Sequence, residues 1–277
     1  MKKSLTISIV CMVWLLGSYL GSIIVTYPRH AEIPEAAAFF PQTVEEQRLI
    51  ANDGVEIVAW SLPFDSKKAV IILNGIRANR VGIVSRAKFY HYNGYNVLIP
   101  DLRGTGESGG GIITLGWQER LDLQACMEFF ETKGMESIAV HGFSLGAATI
   151  TYSFQENPDY EFVVLESCYG NIKNRVDRFP FPSFFYYAFV KFTEWRIGAG
   201  FEQLRPEDFI KKCTFPTFIM AGDSEKNISK EETEKLFNNC GAETKRLFFF
   251  RGGRHENYLD RFEGEWKEQM GDWLSRF

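Results

Sequence analysis

The hydrophobic pattern beyond residue 46 alternates short apolar runs with segments of helical character. The apolar runs are AVIIL (69–73), NVLI (96–99), SIAVH (137–141), FVVLE (162–166), TFIMA (217–221) and KRLFFF (245–250). Each run is continuously apolar, which is typical of a strand that is buried on both faces. Strands that alternate with helices in this way predict an α/β domain with a parallel sheet and helices on either side.

The beginning of this domain predicts a β-hairpin. The stretch QRLIANDGVEIVAWSLP contains two β-rich runs, and Asn52-Asp53-Gly54 separates them. An Asp-Gly pair between β-rich runs is a strong turn signal. We therefore place the α/β domain at residues 46–277.

One segment of the domain, from about residue 170 to 205, is longer than a simple connection between strands. Loops of this length usually have a function or structure of their own. We predict a small helical cap over the carboxyl edge of the sheet. Its aromatic residues either line an apolar acyl pocket or pack the cap against the sheet. These residues are Phe179, Phe181, Phe184, Phe185, Tyr186, Tyr187, Phe189, Phe192 and Trp195.

The chain before the domain begins with an apolar segment. No charged residue occurs between Lys3 and Arg29, and this interval is long enough to cross a bilayer, which needs about 20 apolar residues. A cleaved signal peptide is the alternative, but its apolar stretch is usually about 7 to 15 residues long. We favour an N-terminal transmembrane anchor at residues 1–27. A linker with three prolines then follows at residues 28–45.

The charges beside the anchor predict its orientation. Lys2 and Lys3 precede the apolar segment and favour a cytoplasmic N-terminus. The catalytic domain would then lie outside the cytoplasm. Cleavage of the segment as a signal peptide would make the protein a secreted one instead.

Charge and cysteine spacing argue against two kinds of ligand. The net charge is -4 and no cluster of Lys and Arg is visible, so we expect no nucleic acid partner. The five cysteines lack the spacing that zinc requires, so we expect no metal. Cys213 and Cys240 each precede a predicted strand; if those strands are neighbours, the two thiols either form a disulfide or remain free.

The most informative motif is Gly142-Phe143-Ser144-Leu145-Gly146. It follows the strand SIAVH directly and precedes the helical segment AATITYSFQ. A sharp turn between a strand and a helix strains the serine backbone and exposes its Oγ, and the glycines permit the close packing. This context predicts that Ser144 is a nucleophile.

A serine hydroxyl needs a base to remove its proton, and the base needs an acid to orient it. In proteins whose GxSxG serine lies on such a strand-to-helix turn, the acid follows the serine along the chain and the histidine follows the acid. His255 is the one histidine in a loop after the last predicted strand, so we predict that it is the base. Two carboxylates compete as the acid after strand TFIMA: Glu225, which reaches farther toward His255, and Asp223, which could hold the turn.

The developing charge on the substrate oxygen requires two backbone N–H donors. The first is expected at Leu145, the residue after the nucleophile and the beginning of a helix. The second is expected in the loop after strand AVIIL, at Ile76.

These residues resemble the α/β-hydrolase superfamily from about residue 47 to the end. DLRGTGESGG at 101–110, the segment GWQERLDLQACMEFFETKGMESIAVHGFSLGAAT and VVLESCYGNIKNRV resemble membrane-anchored or secreted bacterial hydrolases of the serine aminopeptidase and BEM46-like groups. The resemblance implies an eight-stranded, mostly parallel sheet. It also implies a Ser-acid-His triad that hydrolyses an ester, thioester or amide without a cofactor.

The resemblance also places the acid. The GxxDxxVP loop of these hydrolases falls on residues 222–229, which puts the acid at Glu225, with Glu in place of the usual Asp and Ser229 in place of the usual Pro. The usual His-Gly pair after the first parallel strand is Asn74-Gly75 here. A backbone donor tolerates this change.

We therefore expect a serine hydrolase that cleaves a small-molecule carboxylic ester, with a lipid-derived ester or a thioester as candidate substrates. A serine aminopeptidase or amidase is one alternative. A membrane-anchored binding module without catalysis is another, because a fold alone does not determine function.

Overall fold

The computed structural model of the protein describes residues 2–177 and 183–277. The strands of the described chain are β1 (Arg29–His30), β2 (Glu45–Ile50), β3 (Glu56–Leu62), β4 (Lys68–Leu73), β5 (Asn96–Pro100), β6 (Thr105–Gly106), β7 (Ser137–Phe143), β8 (Val163–Glu166), β9 (Thr217–Gly222) and β10 (Lys245–Phe250). Its α-helices are α1 (Lys2–Thr26), α2 (Val84–Tyr92), α3 (Glu119–Thr132), α4 (Leu145–Ser153), α5 (Lys173–Val176), α6 (Ser183–Ile197), α7 (Pro206–Phe209), α8 (Lys230–Asn239), α9 (Tyr258–Arg261) and α10 (Glu263–Leu274). Short 3₁₀ helices occur at Ala36–Ala38, Arg80–Ile83, Phe154–Glu156 and Ile210–Lys212.

Within the described residues, eight strands form the main sheet, in the order β10-β9-β8-β7-β4-β5-β3-β2. The strands from β10 to β5 are parallel, whereas β3 is antiparallel to both β5 and β2. The hairpin predicted around residues 52–54 joins β2 to β3. Each of the six predicted apolar runs forms a strand of this sheet, so the predicted eight-stranded, mostly parallel sheet is confirmed.

The central strands are buried on both faces because helices cover both sides of the sheet. Alternate residues of β4 and β7 pack against α3 and α4 on one face, where Leu123 and Ile150 are fully buried. The other residues pack against α2 and α10, where Trp266 and Trp273 are fully buried. Burial on both faces explains why the sequence of these strands is continuously apolar.

The parallel strands bring their carboxyl ends to one edge of the sheet. The turn after β7, the loop after β4 and the loops after β9 and β10 all emerge there. Ligands of open α/β sheets bind at this edge. This is therefore the edge at which the sequence-predicted site residues lie.

Residues 28–45, which were predicted to form a linker, pack against the domain. Arg29–His30 pairs in parallel with Thr105–Gly106, and Phe40 is 3% exposed with its ring against Trp60. The prolines suggested a spacer, but the aromatic side chains between them bury apolar surface on the domain. Parts of the segment therefore lie along the surface of the domain.

Helix α1 contains one window, Ile9–Thr26, that is long and apolar enough to cross a membrane. Its last turn is bound to the domain. The carbonyl of Thr26 accepts a hydrogen bond from the backbone N–H of Ile113 at 3.0 Å, and its Oγ1 accepts one from Nε of Arg196 at 2.8 Å. The guanidinium of Arg77 binds the carbonyl oxygens of Ile24 and Val25.

The segment predicted as a cap contains α5 and α6 between β8 and β9. Helix α6 lies beside α1, where the ring of Phe192 meets that of Tyr19 edge to face with 5.4 Å between centroids. Phe179, Phe181 and the side chain of Phe184 lie outside the described residues.

Candidate active site

The turn between β7 and α4 has the strained geometry that the GxSxG motif predicts. Ser144 has φ +53° and ψ -108°, outside the regions that most L-residues occupy. A Cβ atom at Gly142 would lie 2.4 Å from the backbone N of Ala147, and one at Gly146 would lie 2.6 Å from Cβ of Leu73. Both positions therefore require glycine.

Ser144, His255 and Glu225 form a continuous chain of hydrogen bonds. Nε2 of His255 lies 3.0 Å from Oγ of Ser144, and Nδ1 lies 2.9 Å from Oε2 of Glu225. A carboxylate can only accept, so Nδ1 carries the proton and Nε2 accepts from the serine hydroxyl. This tautomer is the one that a general base needs.

The second oxygen of Glu225 is held by the protein. Oε1 accepts hydrogen bonds from Oγ of Ser167 at 2.5 Å, from the hydroxyl of Tyr258 and from the backbone N–H of Gly222 at 3.2 Å. Burial alone would raise the pKa of Glu225, but the hydrogen bonds from His255, Ser167 and Tyr258 outweigh it and leave the pKa below its usual value. Glu225 is therefore ionised and fixed in position near neutral pH.

Asp223, the other candidate acid, has a different environment. It is exposed, and Oδ1 accepts hydrogen bonds from the backbone N–H of Gly252 at 2.7 Å and from Oγ of Ser224 at 2.9 Å. These contacts tie the loop after β9 to the loop after β10. Of the two carboxylates, Glu225 is the one that lies against His255.

The two predicted oxyanion donors border the same cavity as the serine. Leu145 begins α4, and Ile76 lies in the loop after β4. Within the described chain, neither backbone N–H donates a hydrogen bond to another residue. Both N–H groups are therefore available to a ligand oxygen.

A cavity of about 310 Å³ opens beside Ser144 and His255. Its wall is mainly apolar, and α1 and α6 contribute to it. The apolar residues that line it besides Ile76 and Leu145 are Val25, Leu115, Tyr169, Ile172, Val176, Phe189, Phe201 and Ile228. A second cavity, of about 220 Å³, also borders Ser144 and His255 and is lined by Asn74, Arg86 and Asn257 among others. The larger groove between α2 and α10, about 770 Å³, contains none of the predicted site residues.

The cap aromatics divide between different surroundings. Phe189 lines the cavity beside Ser144, whereas Phe192 lies in an apolar groove between α6 and α1. Tyr187 is 65% exposed and Trp195 is 72% exposed. Each of the two predicted roles therefore applies to part of the aromatic stretch: Phe189 forms part of the pocket wall, and Phe192 packs α6 against α1.

A second buried network lies directly behind the nucleophile turn. The backbone N–H of Ser144 donates to the carbonyl of Glu166 at 2.8 Å. The Glu166 carboxylate binds the guanidinium of Arg86 and accepts from Nε2 of His141 at 2.8 Å. Burial lowers the pKa of His141, which lies in β7 directly before the motif and is fully buried against Glu166.

The described part of the chain contains no group of three His, Cys, Asp or Glu residues arranged to hold a metal ion. Cys213 and Cys240 are buried free thiols, so the disulfide considered for this pair is absent between these two described residues.

Comparison with solved structures identifies the fold. Esterase Pf2001 of Pyrococcus furiosus superposes with a TM-score of 0.78 at 24% identity, over 91% of this chain and 98% of that chain. Est1E of Butyrivibrio proteoclasticus, solved with ferulic acid bound, gives a TM-score of 0.64 at 17% identity, over 83% of this chain and 99% of that one. This chain has the α/β-hydrolase fold. The predicted fold class is thus confirmed, and Ser144 lies at the sharp turn between β7 and α4.

Sequence comparisons add two distant relatives of this chain. The uncharacterized membrane protein YNL320W of Saccharomyces cerevisiae is 22% identical over 245 residues, covering 86% of this chain and 81% of that protein. The uncharacterized protein YqkD of Bacillus subtilis is 24% identical over 203 residues, covering 70% of this chain and 66% of that protein. No protein-family model matches the chain.

Sequence reasoning did not identify three residues of this site. Ser167 and Tyr258 hold Glu225, and Val25 forms part of the cavity wall. Ser167 directly follows the buried strand β8 at the carboxyl edge of the sheet. This position was the one feature of the sequence that could have indicated its place in the site. Nothing in the sequence of α1 indicated that Val25 would lie near the nucleophile.

Proposed function

We propose that this protein is a serine hydrolase that cleaves a carboxylic ester through an acyl-enzyme on Ser144. The observation that carries the proposal is the hydrogen-bond chain from Ser144 through His255 to Glu225. Nucleophile, base and orienting acid are connected in the order that acyl transfer requires. The esterase names of the structural neighbours agree with this reaction.

In this reaction Oγ of Ser144 attacks the ester carbonyl while its proton moves to Nε2 of His255. Glu225 stabilises the resulting imidazolium, and the N–H groups of Ile76 and Leu145 bind the negatively charged carbonyl oxygen. The imidazolium returns the proton to the departing alkoxide, and an alcohol leaves. Water then attacks the acyl-enzyme by the same route and releases the carboxylic acid.

The cavity favours an ester over the substrate of an aminopeptidase. Recognition of a free amino terminus calls for a carboxylate near the scissile bond, because a buried ammonium group must be paired. The described residues that line the cavity beside Ser144 include no Asp or Glu. An apolar acyl group therefore fits this cavity better than a charged amine does.

The proposal includes membrane attachment through α1. Residues near its end form part of the domain: Val25 lines the cavity, and Thr26 is hydrogen bonded to Ile113 and Arg196. Cleavage as a signal peptide would remove this part of the cavity wall, which supports an uncleaved anchor. With the N-terminus in the cytoplasm, the catalytic domain lies outside it.

The experiment that tests the reaction is stopped-flow hydrolysis of p-nitrophenyl butyrate by the full-length protein in detergent. We expect a burst of p-nitrophenol, which reports acyl-enzyme formation, followed by slower steady turnover. Ser144→Ala should abolish the burst and lower kcat/KM by at least about 10⁴-fold. His255→Gln should give a similar loss, whereas the control His91→Gln, on α2, should retain turnover. Faster cleavage of an aminoacyl p-nitroanilide than of the ester would instead establish an aminopeptidase.

A further inference from the structure

Helices α1 and α6 form a tightly packed parallel pair. A Cβ atom at Gly17 would lie 3.3 Å from the ring of Phe185, and one at Gly21 would lie 3.1 Å from the ring of Phe189. At the end of the pair, Arg196 binds Thr26. Small residues that let two helices approach closely are typical of helix pairs in membranes.

The length of α1 determines where this pair must lie. A bilayer core is about 30 Å thick, and the 18-residue window Ile9–Thr26 spans about 27 Å at 1.5 Å per residue. The contacts with α6 run from Gly17 to Thr26, which is about 14 Å, or half of that span. Helix α1 therefore cannot cross a bilayer unless the beginning of α6 also enters it.

The exposed face of α6 has the composition of a membrane interface. Tyr187, Lys191 and Trp195 are spaced four residues apart, so they lie on one face of the helix, and all three are exposed. Tyr and Trp concentrate at the level of the lipid headgroups, and a Lys side chain can extend its amine into water from that depth. A bilayer is therefore the occupant that this face fits.

The same two helices form one side of the cavity beside the nucleophile. Val25 of α1 and Phe189 of α6 both line it, together with Ser144 and His255. We propose that α1 crosses the bilayer with α6 packed beside its second half, in the leaflet nearer the domain, and that the substrate is an acyl ester of a membrane lipid whose chain reaches Ser144 from the bilayer past Val25 and Phe189. The substrate part of this proposal rests on the proposed function, whereas the membrane contact of α6 does not.

The membrane contact can be measured without any catalytic readout. Cys11 is the one exposed cysteine of the described chain, so Cys11→Ser gives a background in which Trp195→Cys can be labelled with an environment-sensitive NBD dye. The control is Tyr92→Cys, because Tyr92 is 89% exposed and ends α2 at the opposite, amino edge of the sheet. Both variants are used as full-length protein reconstituted in phosphatidylcholine vesicles.

We expect the dye at position 195 to emit at shorter wavelength than the dye at position 92, and to be quenched when doxyl-labelled phosphatidylcholine is included. Emission typical of water at both positions would overturn the proposal. A short-wavelength emission at 195 that doxyl lipid does not quench would also overturn it, since a second protein copy, rather than lipid, would then cover α6.

The route of the acyl chain is tested by changing the cavity wall. We expect Val25→Phe to lower kcat/KM for p-nitrophenyl laurate relative to the butyrate by about tenfold or more, because the longer chain must pass the enlarged side chain. The matched control is Ile24→Phe, since Ile24 is 65% exposed and does not line the cavity. An unchanged laurate-to-butyrate ratio in Val25→Phe would refute the route. If wild-type protein hydrolyses neither ester, the proposed function fails instead, and the dye measurement still decides the membrane contact.

Discussion

At the scale of single residues, the two carboxylate oxygens of Glu225 have different hydrogen-bond partners. Oε2 faces Nδ1 of His255, while Oε1 accepts hydrogen bonds from Ser167, Tyr258 and the backbone of Gly222. The three donors fix the carboxylate plane and stabilise its charge. The charge in turn keeps His255 in the orientation that the reaction needs.

Replacing Glu225 with Gln keeps the size of the side chain and removes its charge. We expect kcat/KM for p-nitrophenyl butyrate to fall by about 10³- to 10⁴-fold, because the imidazolium loses its stabilising partner. Asp223→Asn is the matched control, since Asp223 contacts Gly252 rather than His255. Steady-state kinetics of both variants should show a large loss in the first and a small one in the second. The reverse result would move the acid to Asp223.

Ser167→Ala removes one donor to the charged form of Glu225, so its effect on stability should depend on pH. The native pKa of Glu225 lies below the ordinary value, so this stabilisation is present above the ordinary pKa and is lost as pH falls through the native one. Near pH 7 we expect a loss of about 1.5–3 kcal/mol in the free energy of unfolding. The loss should shrink below about pH 4.3.

Urea unfolding at a series of pH values measures this difference. Ser224→Ala is the control, because its hydroxyl binds the exposed Asp223 and should contribute little at any pH. A Ser167→Ala loss of constant size across the acidic range would show that the hydroxyl does not stabilise the charge of Glu225.

The sequence predicted these residues to different extents. Ser144 stands out because its motif is local, and His255 because it is the one histidine that follows Ser144 in the sequence. The choice between Glu225 and Asp223 depended on a resemblance, since two carboxylates in one loop cannot be distinguished without coordinates. Ser167 and Tyr258 were missed because a hydroxyl has no pattern of its own and their contact with Glu225 joins distant segments.

At the scale of secondary-structure elements, the site depends on how closely α4 packs against β4 and β7. Helix α4 begins directly after Ser144, and its first turn lies against Leu73 at the end of β4. The backbone N–H of Gly146 donates to the carbonyl of Asn74 at 3.0 Å. This packing positions Leu145 and Ser144 over the carboxyl edge of the sheet.

Gly146→Ala tests this close approach. Its Cβ would lie 2.6 Å from both the Cβ and the carbonyl oxygen of Leu73, so the strand or the helix must shift. We expect the free energy of unfolding to fall by about 2 kcal/mol or more. Gly271→Ala is the control, because nothing lies within 4 Å of its Cβ position and it is inside α10. This control should gain about 0.5–1 kcal/mol. Equal thermal stability of the two variants would contradict the packing described for α4.

The strands were predictable from sequence because burial on both faces leaves a continuous apolar run. The segment at residues 28–45 was not, since prolines and polar residues suit a free spacer as well as a chain that lies along a domain. The contact of Phe40 with Trp60 shows that the segment lies along the domain. Trp60 is 20 residues farther along the chain, so the local sequence does not reveal this contact. The same limitation applies to α6, whose aromatic stretch does not reveal which side chains face the cavity.

At the scale of the whole molecule, the N-terminal helix packs against the α/β domain. Thr26 is hydrogen bonded to the domain, and Val25 lines the cavity beside Ser144. We therefore expect the mature protein to keep residues 1–27. Intact-mass analysis of protein from the membrane fraction of its host measures this directly. A mature form in the soluble fraction that begins after residue 27 would instead establish a secreted protein with a cleaved signal peptide.

The central claim is that Ser144 is a nucleophile activated by His255 and Glu225. Labelling of the folded, full-length protein with a fluorophosphonate, followed by peptide mapping, tests it most directly. We expect one phosphonyl adduct, on Ser144, that is absent in Ser144→Ala and slowed by about 10³-fold or more in His255→Gln. A folded protein that forms no adduct at Ser144, or that forms it equally fast without the His255 imidazole, would contradict this account.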